Sequence, residues 1–135
     1  MSAVLDAWAL LAFLHDEPPA GRVRIAIEEG AIASWINLGE VLYIEIRRHG
    51  EERASAVVES LAEQLAHVED ADAELTRAAA RIKAGGGVSY ADCFAVATAE
   101  RHAAPLLTGD PELLAIEHPG LTVVDLTEPT RRSRA

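Results

Sequence analysis

The sequence predicts a single α/β domain built on a short, central, mainly parallel β-sheet with helices on both of its faces. Two observations favour this class. The chain has 135 residues, of which half are hydrophobic, so it fits one domain with a sizeable buried core. Short apolar segments also alternate with longer segments of helical periodicity, and such alternation is typical of parallel sheets joined by right-handed crossovers.

The first half of the chain contains two predicted strands and three predicted helices. In order, they are a strand over residues 3–5, a helix over 7–14, a helix around 23–29 that ends at Gly30, a strand over 31–33, and a helix over 38–48 closed by Gly50. Pro18 and Pro19 break the chain between the first two helices. The basic residues at the end of the third helix complement its dipole.

The second half predicts three helices, two strands and a tail. The elements are helices over 52–65, 71–83 and 89–103 and strands over 105–108 and 121–124. The first two of these helices are expected to form an antiparallel pair, and three glycines at 85–87 form a linker before the third. We assign residues 1–126 to the folded domain and 127–135 to a basic C-terminal tail that carries Arg131, Arg132 and Arg134.

Composition and charge exclude several classes of protein. The single cysteine, Cys93, allows neither an internal disulfide nor a thiolate zinc site, which indicates a reducing compartment such as the cytoplasm. The N-terminal region has neither a signal-peptide pattern nor a membrane span. A net charge of -10 argues against nonspecific adhesion to nucleic acid, which needs clustered basic residues.

Four acidic residues lie where an apolar segment meets a predicted turn or helix start: Asp6, Glu40, Asp92 and Asp110. A carboxylate beside a buried segment is costly unless it is paired, hydrogen-bonded or bound to a metal. Asp6 and Asp110 directly follow predicted strands, and ligands bind where the carboxyl ends of parallel strands meet. Glu40 and Asp92, in the first turns of helices, are expected to face the same crevice.

Helix capping is the alternative explanation for each acid. The predicted caps are Asp6, Asp110 before Pro111, and the capping-box pairs Asn37/Glu40 and Ser89/Asp92. Capping and metal ligation are compatible, because the N-terminus of a helix also favours bound anions near a metal site.

Four carboxylates that converge cannot all remain ionised without a cation, because like charges raise one another's pKa values. Oxygen ligands suit Mg²⁺ or Mn²⁺ better than Zn²⁺, and Mg²⁺ keeps several waters, which leaves room for phosphate oxygens. A site of this kind can activate water and orient a scissile phosphate for in-line attack. The acids therefore predict phosphodiester hydrolysis.

The sequence around these acids resembles the PIN-domain family, and most of all its VapC-type toxins. The similar segments follow the family's order and cover nearly the whole chain: Val4-Leu5-Asp6-Ala7 with Ala9-Leu10-Leu11-Ala12, Asn37-Leu38-Gly39-Glu40-Val41-Leu42-Tyr43, Ser89-Tyr90-Ala91-Asp92 and Leu107-Thr108-Gly109-Asp110. The resemblance implies a PIN-like domain with Mg²⁺- or Mn²⁺-dependent endoribonuclease activity on tRNA or ribosomal RNA. It also implies a homodimer that is neutralised by a VapB-type antitoxin, and it makes the four acids the metal ligands.

Three further residues are candidates by their position in these segments. Thr108 matches a hydroxyl residue near the final acid and is expected either to hydrogen-bond a metal-bound water or a carboxylate, or to be a turn residue at a strand end. Glu112 occupies a place where many similar proteins carry another acid. Glu112 also fits a first-turn charge that complements a helix dipole. Trp8 is a departure, because similar proteins usually have Ser or Thr there; it is expected either to pack in the core or to stack on an unpaired base.

Two other functions fit parts of the sequence. Trp8 is also compatible with a noncatalytic binding module that uses the acidic pocket only for its partner. A receiver-type phosphoacceptor is a further alternative, although Lys83 lies at a helix end and not after a strand. The five histidines show no paired metal-ligand spacing and are expected at the surface or at helix ends.

Overall fold

The computed structural model describes residues 2–129, and these form a five-stranded sheet in which all neighbouring strands are parallel. The strands are β1 Val4–Leu5, β2 Ile32–Ser34, β3 His67–Glu69, β4 Leu106–Thr108 and β5 Val123–Asp125, in the spatial order β3-β2-β1-β4-β5. The predicted fold class is confirmed. The predicted tail beyond Pro129 lies outside the described residues.

The helices cover both faces of this sheet. They are α1 Ala7–Leu14, α2 Ala20–Glu28, α3 Trp35–His49, α4 Glu51–Gln64, α5 Ala73–Ala84, α6 Tyr90–His102 and the short α7 Pro111–Leu114. Five of them begin at a residue whose side-chain oxygen accepts a hydrogen bond from a backbone N–H of the first turn: Asp6, Ser34, Asp72, Ser89 and Asp110. Such caps satisfy the free N–H groups of a helix start.

Alternation along the strands divides the core into two layers. Leu5, which is completely buried, packs with α1 to α4 on one face, and its equally buried neighbour Val4 packs with α5 to α7 on the other. Successive side chains of a strand point to opposite faces, and a strand buried on both faces is apolar throughout. The central strand therefore fixes the position of Asp6 at its carboxyl end.

The predicted antiparallel pair of helices 52–65 and 71–83 is wrong. Strand β3 separates them, so α4 packs on α3 in one layer and α5 packs on α6 in the other. The strand was missed because His67-Val68-Glu69 has one apolar residue and lies at the edge of the sheet, where one side of the strand is uncovered.

A smaller difference concerns the start of α3. The capping-box prediction for Asn37 and Glu40 is wrong, because α3 begins earlier and Ser34 is its cap.

The predicted glycine linker lies between α5 and α6. Gly86 and Gly87 have φ values of 79° and 90°, which side-chain-bearing residues rarely adopt. Within residues 2–129, no helix is long and apolar enough to span a membrane.

Candidate metal-dependent nuclease site

Asp6 and Thr108 are joined at the carboxyl ends of two neighbouring strands. β1 pairs with β4, so that Leu5 lies opposite Leu107. The next residues of the two strands, Asp6 and Thr108, therefore lie side by side at the carboxyl end of the sheet. The Thr108 hydroxyl donates a hydrogen bond to Oδ2 of Asp6 and accepts one from the Asp110 N–H at 3.0 Å. Oδ1 of Asp6 accepts from the Ala9 N–H at 2.8 Å as the α1 cap. Thr108 thus links the first predicted acid to the last.

Glu40 is positioned by Asn37, a buried residue that the sequence pattern predicts as a helix cap. The Asn37 amide nitrogen donates to Oε1 of Glu40 at 3.0 Å and to the Ala91 carbonyl at 3.1 Å. The Ser34 hydroxyl donates to the Asn37 amide oxygen at 2.8 Å, which fixes the orientation of the amide. Because Ala91 precedes Asp92 in α6, this amide holds Glu40 of α3 beside the next predicted acid.

The pKa of Asp6 is raised from 3.8 to about 7. Burial of the carboxyl is the largest cause, and repulsion by Asp92 and Asp110 adds to it, while the hydrogen bonds from Thr108 and Ala9 act in the opposite direction. Desolvation and like charges both disfavour the ionised form. The carboxyl of Asp6 is therefore largely protonated below neutral pH when no cation is bound.

Glu40 and Asp92 share this electrostatic environment. Burial raises the pKa of each carboxyl, and the charge of Asp110 raises both further. Asp92 and Asp110 therefore both raise the pKa values of Asp6 and Glu40 by charge repulsion. Repulsion of this kind is what a divalent cation relieves, and a set of carboxylate oxygens suits a hard cation.

The carboxylates do not close into a tight cage. Within residues 2–129, no three of the four acids bring oxygens within 4.8 Å of one another. Mg²⁺ commonly takes only one or two protein carboxylates and keeps water in its other positions. An open group of carboxylates, in which burial raises the pKa values of Asp6, Glu40 and Asp92, therefore fits such an ion. The residues that do converge within that distance are His67, Glu69 and His102, which the sequence did not bring together.

The remaining candidates lie around this pocket. The exposed Glu112 donates its backbone N–H to Oδ1 of Asp110 at 2.8 Å and raises the pKa of Asp92 by its charge. Trp8 is half-buried against the first core layer. Lys83 donates to the Val88 carbonyl at 2.9 Å and not to an acid, so the pocket lacks the lysine of a receiver-type site.

Trp8 lies directly against the turn that leads to Asp110. A Cβ on Gly109 would lie 2.3 Å from two indole carbons of Trp8, so only glycine fits there. Trp8 also lines a cavity of about 930 Å³ together with residues that include Arg22 and Ile25. Trp8 thus packs on the backbone of the site and also borders open space.

Comparison with known proteins agrees with this architecture. The PIN domain family matches residues 3–119 of the chain. A VapC ribonuclease of Mycobacterium bovis and ribonuclease VapC30 of Mycobacterium tuberculosis are each 32% identical, over 77% of this chain and 86% of theirs. The chain therefore belongs to the PIN-domain family and, within it, to the VapC ribonucleases. PIN-domain nucleases generally use divalent metal ions.

Solved structures share the same fold at lower identity. DNA-bound VapBC from Salmonella typhimurium superposes with a TM-score of 0.74 at 22% identity, covering 93% of this chain and 98% of that one. FitAcB from Neisseria gonorrhoeae gives 0.70 at 19%, covering 96% and 100%. VapC20 of Mycobacterium tuberculosis, described as a sarcin-ricin loop cleaving toxin, gives 0.67 at 17%, covering 84% and 93%.

Proposed function

We propose that the protein is a cytoplasmic, Mg²⁺- or Mn²⁺-dependent endoribonuclease toxin that hydrolyses phosphodiester bonds in tRNA or ribosomal RNA. The observation that carries the proposal is the hydrogen-bond network at the carboxyl edge of the sheet, in which Thr108 joins Asp6 to the turn of Asp110, and Asn37 joins Glu40 to the backbone beside Asp92. Relatives named as ribonucleases support the reaction class. The single cysteine supports a reducing compartment.

The four acids are the proposed metal ligands. When bound, the divalent ion supplies an activated water and neutralises charge on the scissile phosphate. Thr108 acts as a positioning residue, because its hydroxyl holds Oδ2 of Asp6. Asn37 is likewise a positioning residue, because its amide nitrogen donates to Oε1 of Glu40. Oε2 of Glu40 does not take part in that hydrogen bond.

Substrate binding follows from the same local features. The protein has a net charge of -10 and an acidic pocket, so RNA phosphates are repelled unless a cation is present. Asp6 caps α1, and Asp92 lies in the first turn of α6. The N–H groups at helix starts favour anions. We propose that these turns orient the phosphate, while Glu112 and Trp8 border the RNA path.

We propose in addition that the toxin is a homodimer that assembles with a VapB-type antitoxin. Solved relatives include VapBC toxin–antitoxin complexes. An apolar groove of about 420 Å³ lies between α3 and α4 and is lined by Trp35, Leu42, Val58, Glu59 and Glu63 among others. An amphipathic antitoxin segment with basic side chains fits this lining, because its apolar face meets Leu42 and Val58 and its basic groups meet Glu59 and Glu63.

Cleavage of purified RNA tests the activity directly. Wild-type protein with Mn²⁺ is expected to cut RNA, chelation is expected to stop cleavage, and Asp6→Asn is expected to abolish it. Asp125→Asn is the matched control, because Asp125 also ends a strand of this sheet but the charge that acts on its carboxyl is that of Arg22 and not that of another acid. Cleavage that persists unchanged in Asp6→Asn contradicts the site. Metal binding without any cleavage favours the noncatalytic binding module.

A further inference from the structure

His67, Glu69 and His102 converge at the edge of the sheet, away from the acidic pocket. The Nε2 atoms of His67 and His102 lie 3.0 and 2.7 Å from the two carboxylate oxygens of Glu69. The imidazole rings are 5.5 Å apart and tilted by 57°. Each of the three residues offers a donor atom within 4.8 Å of the other two.

These donors match the ligand set of a borderline transition metal. Two imidazole nitrogens and one carboxylate, with a fourth position open, form a common Zn²⁺ site. At metal–ligand distances of about 2.0–2.1 Å, neighbouring donors of a tetrahedral site lie ~3.3 Å apart, so the present spacings need small adjustments. We propose that His67, Glu69 and His102 bind a Zn²⁺-class divalent ion.

The proposed site is separate from the nuclease site. Asp92 is in the first turn of α6 and His102 is the last residue of that helix, a distance of roughly 15 Å along the axis at about 1.5 Å per residue. His67 and Glu69 belong to β3, which is the edge strand of the sheet that residues 2–129 form. The ion would connect the edge strand to the C-terminal turn of α6.

The surrounding charges permit a cation. Arg101 is a positive side chain beside this group, with a guanidinium nitrogen 3.6 Å from Oε1 of Glu69. Two hydrogen bonds of 3.0 Å hold that guanidinium on Asp72, which offsets its charge. The side chains of His67 and His102 are 49% and 27% exposed, so an ion can enter from solvent.

A second histidine–glutamate group in the chain provides an internal comparison. Glu45 lies 2.6 Å from Nε2 of His15 and 3.5 Å from Nε2 of His49, yet these three residues do not converge in the same way within the described part of the chain. His15, Glu45 and His49 therefore offer the same types of donor atom, but these atoms do not all lie within 4.8 Å of one another. This group serves as a matched control for histidine substitutions.

Calorimetry with Zn²⁺ and visible absorption with Co²⁺ test the proposal. In millimolar Mg²⁺, which would occupy the acidic site, one tight Zn²⁺ equivalent is expected in the wild type and in Asp6→Asn, and the Co²⁺ bands should be those of a tetrahedral site. Loss of an outer-shell partner costs roughly 10- to 100-fold in affinity. We therefore expect His67→Asn and His102→Asn to weaken binding at least about 100-fold, while His15→Asn does not.

Three outcomes would overturn the assignment. They are the absence of Zn²⁺ binding by the wild type, unchanged affinity in both His67→Asn and His102→Asn, and loss of the Zn²⁺ equivalent in Asp6→Asn, which would place the ion in the acidic pocket. Glu69→Gln is a second probe that keeps the shape of the side chain, and far-ultraviolet circular dichroism confirms that each variant is folded. Because RNA cleavage is not the readout, failure here leaves the nuclease proposal intact.

Discussion

The Thr108 hydroxyl donates a hydrogen bond to Oδ2 of Asp6, and the two residues are 102 positions apart in sequence. Both are buried at the ends of adjacent strands. The same hydroxyl oxygen accepts the Asp110 N–H at 3.0 Å. One side chain therefore determines the orientation of the most buried acid and the position of the turn that bears another.

Thr108→Val is expected to lower RNA cleavage and stability together. The substitution keeps the shape of the side chain but removes the donor to Asp6, and a buried group left without its partner costs about 1–3 kcal/mol. Thr108→Ser retains the hydroxyl and should restore most of the cleavage rate. Steady-state cleavage and urea unfolding check this, and a fully active valine variant would show that Thr108 has no positioning role.

Asp6→Asn is expected to stabilise the metal-free protein more at pH 8 than at pH 5. The pKa of Asp6 is about 7 in the folded protein against 3.8 ordinarily, so the stability that its neutral form contributes is complete below 3.8 and is lost as the pH rises through 7. The gain at pH 8 is at most about 4 kcal/mol. Urea unfolding with a chelator present measures it.

An effect of Asp6→Asn that does not depend on pH would contradict the raised pKa of Asp6. If Asp6→Asn destabilises the protein equally at both pH values, the carboxyl is not strained by burial and repulsion. Addition of Mn²⁺ provides a second check, because a ligand that binds only the folded protein stabilises it. The wild type should then regain stability at pH 8, and Asp6→Asn should gain less.

Gly109→Ala is expected to destabilise the protein by about 1–3 kcal/mol, as overpacking of a filled site does. The added methyl group would lie 2.3 Å from the indole of Trp8. Trp8→Ala should recover part of that loss when the two changes are combined. Gly21→Ala is the control, since a Cβ at that helical position meets nothing within 4 Å; equal destabilisation by both alanines would argue against the contact.

Asn37→Asp is expected to weaken both the fold and RNA cleavage. The new carboxylate cannot donate to Glu40 or to the Ala91 carbonyl, and it places a like charge where the amide nitrogen lies 3.0 Å from Oε1 of Glu40. The cost of an unpaired buried group is again about 1–3 kcal/mol. Gln64→Glu makes the same change on an exposed helix surface and should be nearly neutral. Equal stability and cleavage in the two variants would refute the role of Asn37.

Local sequence signals were sufficient to predict the central strands of the sheet, and they are also the basis on which the four acids are proposed as the site. Val4 and Leu5 form an apolar segment that ends at Asp6, and Leu106 and Leu107 lead to Thr108 in the same way. A buried parallel strand is apolar on both faces, so its end is visible in sequence. The caps at Asp6 and Asp110 are likewise local, because each spans three residues or fewer.

Features that depend on distant contacts could not be predicted in this way. Asn37 has its partner Ala91 54 residues away, and nothing near it in sequence distinguishes a positioning amide from a cap. Glu69 and His102 are 33 residues apart, so no spacing pattern joins them. Strand β3 owes its conformation to parallel pairing with β2 and not to its own composition.

Mn²⁺ binding at pH 7.5, measured by calorimetry on the wild type and four amide variants, is the most direct test of the shared acidic site. The variants are Asp6→Asn, Glu40→Gln, Asp92→Asn and Asp110→Asn, with Asp125→Asn as the control. We expect each of the four to weaken binding at least about tenfold and the control to match the wild type. Wild-type affinity in both Asp6→Asn and Asp92→Asn would contradict a metal site formed by these acids.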